Sequence, residues 1–95
     1  MLSEVRLKKL KAITEKCYVK ANEEFLKGKT LNMEQLYRRQ PERDNLYRIE
    51  LCKLNTSTLE AILTAHESGQ QRRMPITLDA IRNELANRVI LDIKK

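Results

Sequence analysis

Asn55-Thr56-Ser57-Thr58-Leu59-Glu60-Ala61-Ile62-Leu63-Thr64-Ala65-His66 and Thr77-Leu78-Asp79-Ala80-Ile81-Arg82-Asn83-Glu84-Leu85-Ala86-Asn87-Arg88-Val89, joined through Gln70-Gln71-Arg72-Arg73-Met74-Pro75, form the stretch on which the fold turns. Ser57-Thr58-Leu59-Glu60 fits the Ser/Thr-x-x-Glu capping box and predicts a helix start there. Leu59, Ile62, Leu63 and His66 recur at helical spacing as its apolar face, and Gly69 supplies a stop. Thr77 is a second candidate cap, with Ile76 and Ile81 placed for a hydrophobic staple. Leu78, Ile81, Leu85 and Val89 then make one apolar stripe, opposed by the polar Asp79, Asn83 and Asn87. The 55–89 stretch therefore reads as two amphipathic helices joined by a basic loop.

Outward from it, residues 3–27 read as one long helix, with Ser3 as N-cap and Gly28 as the left-handed stop. Leu7, Leu10, Thr14, Cys17, Tyr18, Ala21 and Phe25 fall within an arc of about 100° and form the core stripe. Asn32 with Gln35 predicts a capped short helix over 33–39, ended by Pro41. Residues 42–54 admit two readings. Leu46, Tyr47, Ile49, Leu51, Cys52 and Leu54 surround a helical wheel, as in a buried helix, and Pro41 suits a first helical turn. Tyr47-Arg48-Ile49-Glu50-Leu51 also alternates like a strand, for which 89–93 is the candidate partner. Helix is favoured, because the chain has two glycines and two prolines, too few for turn-rich β architecture. The expectation is an all-α single domain over 1–95, a bundle of about five helices. The alternative is an α+β fold with a small two-stranded sheet from 46–52 and 89–93.

The 95 residues are 34% charged and 41% hydrophobic, with a formal net charge of +6. Residues 1–40 hold ten Lys/Arg against five Asp/Glu, a net +5, and 41–95 hold nine against eight, a net +1. Such a basic balance points to nucleic acid or an acidic protein surface as partner. Lys9, Lys16, Lys20 and Lys27 lie within about 40° of one another on the first helix. That stripe suits phosphate contacts, although Glu23–Lys27 and Lys16–Lys20–Glu24 also have the spacing of ordinary surface ion pairs. Arg72 and Arg73 in the loop are candidate phosphate contacts, and Arg82 and Asn83 are candidate base readers on the last helix. A helix-turn-helix uses a turn of about 3–4 residues. The 69–76 connection is longer, so a divergent helix-loop-helix unit is the form this reading takes.

Chemistry for catalysis is sparse. The chain has one histidine and no Gly-rich phosphate loop, Cys-x-x-Cys or His-Glu-x-x-His. His66 reads as a packing residue near a helix C-terminus. Cys17 and Cys52 read as reduced cysteines packed as small hydrophobes. A zinc site would require both, His66 and a fourth ligand. No catalytic residue, metal or cofactor is expected. The first nine residues hold no apolar run suited to a secretory leader, and no stretch approaches a membrane span. The expectation is a cytoplasmic, non-enzymatic accessory protein: a small regulator that contacts nucleic acid. The alternative is an adaptor or inhibitor that docks on a larger protein or nucleic-acid-processing complex. Both are compatible with a homodimer or with membership of a complex.

Overall fold

The computed structural model describes residues 2–94 and contains five helices: α1 (Glu4–Leu26), α2 (Met33–Arg38), α3 (Gln40–Cys52), α4 (Thr56–Glu67) and α5 (Pro75–Lys94). No strand occurs among the described residues. The two-stranded alternative is excluded, because 46–52 lies within α3 and 89–93 within α5.

Most termini follow from local chemistry. Ser3 Oγ accepts the Arg6 N–H at the start of α1, and Gly28 adopts φ +68° just beyond its end. Asn32 and Gln35 form the full reciprocal capping box on α2. Arg39 then breaks the helix, and Pro41 sits in the first turn of α3, where its missing N–H leaves nothing unsatisfied. Gly69, at φ +79°, reverses the chain after α4.

Two starts differ from expectation. The cap of α4 is Asn55, whose Oδ1 accepts the Thr58 N–H at 2.8 Å, and Ser57 Oγ donates to that same oxygen. Asparagine caps as well as serine. The earlier start also brings Thr56 Oγ1 and the Leu54 carbonyl to the Arg88 guanidinium. On α5, Thr77 is not a cap. The helix begins at Pro75, the Met74 carbonyl accepts the Leu78 N–H, and Thr77 is fully buried with its hydroxyl 2.8 Å from Tyr47 Oη. Nor do Ile76 and Ile81 meet as a staple would require: they serve different parts of the core.

The core has two adjoining halves. Leu10, Leu59, Ile62, Ala65 and Ile81 are fully buried where the first turns of α1 cross α4 and α5. Cys17, Ala21, Tyr47, Leu51 and Ala80 form the second half, where later turns of α1 pack on α3. Leu54 touches both, and α5 contributes neighbouring residues, Ala80 and Ile81, to the two sides. Three expected core positions lie at the rim instead. Tyr18 is 40% exposed, edge-on to Tyr47 at 5.8 Å with the Arg43 guanidinium over its ring. Ile49 and Val89 are more than half exposed: Ile49 lies around α3 from the buried Tyr47 and Leu51, and Val89 begins the exposed apolar end of α5.

The result is a slab of 41 × 37 × 18 Å with a radius of gyration of 14.9 Å. A compact chain of this length has about 12 Å. The excess follows from α1 and α5, roughly 35 and 30 Å long, which extend beyond the shorter helices between them. None of the described helices is long and apolar enough to cross a membrane.

Candidate nucleic-acid interface and adjoining cavity

The connection between α4 and α5 is held on the body. The Gln71 N–H donates to the Ala65 carbonyl, closing the turn. The Gln70 side-chain amide then pairs with the Leu2 backbone in both directions: Leu2 N–H to Oε1 at 3.2 Å and Nε2 to the Leu2 carbonyl at 3.0 Å. Gln71 Nε2 donates to the Leu7 carbonyl at 3.0 Å. These contacts dock the basic loop against the first turns of α1. The two glutamines, read in sequence only as neighbours of the arginines, are what fix it.

Between loop and helix lies a cavity of about 500 Å³. Leu7, Lys11, Thr14 and Glu15 of α1 form one wall, and His66, Gln70, Gln71, Arg72 and Met74 complete it. His66 is 3% exposed and its Nδ1 has no hydrogen-bond partner. Burial pushes the imidazole pKa below its ordinary value, and the Arg72 backbone partly opposes that shift.

The predicted contact residues separate into groups. Arg72 is exposed at the cavity. Arg73 donates to the Glu67 carbonyl at 3.4 Å, and Arg82 pairs with the Glu67 carboxylate at 3.3 Å, so the end of α4 holds both guanidiniums. Asn83 is exposed on α5. Lys9, Lys16 and Lys20 lie on α1 and Lys27 is its C-cap, where the backbone has left the helix, with the expected ion pairs among them unmade: neither Glu23–Lys27 nor Lys16–Lys20–Glu24 is a salt bridge. Lys20 instead reaches across to Glu50 on α3 at 3.5 Å. Lys9, Lys16 and Lys27 are exposed and have no carboxylate at salt-bridge distance among the described residues. Lys9 and Lys16 lie roughly 150° around α1 from Lys11, so lysine stripe and loop cavity occupy opposite sides of the helix.

Cys17 and Cys52 are free thiols. Burial raises both pKa values, with Glu50 adding to the effect at Cys17 and Glu84 at Cys52. A reactive cysteine uses the opposite shift. No group of three or more metal-binding side chains converges among the described residues. No known protein family, curated protein or solved structure matches the chain.

Proposed function

We propose that the protein is a small non-enzymatic regulator that contacts the nucleic-acid backbone through the lysine face of α1. The observation that carries this reading is the set Lys9 and Lys16 on one side of α1 with Lys27 at its C-cap, all exposed and without a carboxylate partner among the described residues. From Lys9 to the end of α1 is about 25 Å of helix axis. Solvated lysines are inexpensive to desolvate partially against phosphates, and release of condensed counterions drives such contacts. Arg72 is a further contact reached from the opposite side, so one straight duplex does not meet both surfaces together. Arg82 must release Glu67 before it can read a base, which places α5 behind α1 as the recognition element.

The test is affinity for a short labelled duplex as a function of salt. Neutralising Lys9, Lys16 and Lys27 together by alanine lowers the slope of log affinity against log salt by about 2–3, since each phosphate contact contributes about 0.9. Arg72→Ala with Arg73→Ala flattens it less. Absence of binding to any duplex or single strand at about 50 mM salt, where electrostatic contacts are strongest, refutes the reading.

A docking adaptor is the second reading. It is favoured by apolar side chains left in water: Met33 and Tyr37 on α2, and Val89, Ile90, Leu91 and Ile93 at the end of α5. Recovery of one stoichiometric protein from nuclease-treated lysate supports it over the first.

A further inference from the structure

The loop cavity has a composition that the nucleic-acid reading does not use. Leu7 and Met74 give it apolar walls, while Lys11 and Arg72 bring two cations against the single carboxylate of Glu15. Lys11 and Glu15 are one helical turn apart yet form no salt bridge, so the Lys11 ammonium is free to meet an anion. His66 bounds the cavity from the α4 side. Its Nδ1 is closed off from solvent, so the imidazole shapes the wall without offering that atom to a ligand.

We propose that this cavity binds a small organic carboxylate with an apolar, preferably aromatic, body. The body lies between Leu7 and Met74, and the carboxylate sits between Lys11 and Arg72. The volume of about 500 Å³ is within the usual range for small-ligand sites. Charge selects the ligand class: a neutral compound forgoes both cations, and two cations against the one Glu15 carboxylate favour an anion over an amine. The site is separate from the lysine stripe, so its occupancy and duplex binding stand or fall independently.

The probe is 4-hydroxyphenylacetate, titrated to millimolar concentration into the uniformly 15N-labelled chain, as suits a ligand of this size. The expected result is saturable shifts at the amides of Leu7, Lys11, Thr14, Arg72 and Met74 and at the His66 ring nitrogens. Lys11→Glu, at an exposed position, weakens binding about tenfold, the scale of one charge-assisted contact. The neutral analogue 4-ethylphenol binds more weakly by a similar factor. Thr14→Phe projects an aromatic ring into the space for the ligand body and weakens or abolishes the shifts while the circular dichroism of the helices is kept. No saturable shift, shifts centred elsewhere, equal affinity for 4-ethylphenol, or undiminished binding by Lys11→Glu would each overturn the proposal.

Discussion

Arg88 is the residue whose removal should damage the fold most for its exposure. Its Nε donates to Glu84 Oε1 at 3.0 Å, one terminal nitrogen to Thr56 Oγ1 at 2.9 Å, and the other to the carbonyls of Cys52 and Leu54 at 3.0 and 2.8 Å. One guanidinium thus ties α5 to the end of α3 and the beginning of α4. The Cys52 and Leu54 carbonyls lie at or just past the end of α3, where helix carbonyls lack intrahelical partners and a cation is favoured by the dipole. A hydrogen bond to a charged group contributes about 1.5–3 kcal/mol when well buried, but this side chain is 24% exposed and water replaces part of what is lost. The Glu84 pair, one turn away on the same helix, adds only about 0.3–0.5 kcal/mol. Arg88→Ala therefore costs about 2 kcal/mol, mostly from the two carbonyl bonds. For a domain of this size that lowers the melting temperature by roughly 8–16 °C. Arg88→Lys recovers less than half, because a single ammonium cannot serve acceptors on three helices. Urea and thermal unfolding followed by circular dichroism measure both, with Arg82→Ala as control: its one exposed pair with Glu67 is worth under about 1 kcal/mol. If Arg88→Ala shifts stability no more than that control, the three-helix clamp is not a stabilising element and the reasoning fails.

Other expectations concern single contacts. Thr77→Val strips the buried Tyr47 hydroxyl of its partner and should cost about 1–3 kcal/mol. Adding Tyr47→Phe should cost less than the separate losses summed, and a double-mutant cycle with no coupling energy counts against the bond. Asn55→Ala should destabilise by about 1 kcal/mol and Ser57→Ala by clearly less; equal losses in chemical denaturation would return the cap to Ser57. The pKa of His66 lies below its ordinary value of about 6.5 in the folded chain, so the unfolded chain takes up the proton first. The stability tied to a neutral His66 is present above about pH 6.5 and is lost as the pH falls below it. His66→Gln should flatten the loss of stability just below that pH, and an unchanged profile in the variant would assign the loss elsewhere. Glu42 and Glu50, held below the usual carboxylate range chiefly by hydrogen bonds from Arg39 and Lys53, act with the same sign in the more acidic range.

Much of this architecture was legible because helix signals are local. Ser3, Asn32 with Gln35, Pro41, Gly28 and Gly69 mark termini through chemistry confined to a turn or two. The α1 stripe is equally local, since periodicity alone brings Leu10, Cys17, Ala21 and Phe25 to one side. The misplaced features depend on neighbours. Ser57 satisfies a capping pattern, but Asn55 starts the helix two residues earlier, where the Arg88 clamp also engages the chain. Thr77 has the right chemistry for a cap, yet Tyr47, thirty positions away, claims its hydroxyl.

The candidate site divides in the same way. A lysine stripe on one face of α1 is determined by spacing along a single helix, and so was readable in the chain itself. That Lys20 turns to Glu50, that Glu67 occupies Arg73 and Arg82, and that Lys11, His66 and Arg72 surround one cavity are matters of packing. The sequence by itself determined most of the helical segments and which of their faces are apolar or basic, because those properties repeat within one or two turns. Residues 46–52 and 89–93 stayed open between helix and strand until the structure placed them in α3 and α5. Only the tertiary structure decided which charges remain free and which side chains share a cavity, because electrostatic pairing and enclosure act between residues far apart along the chain.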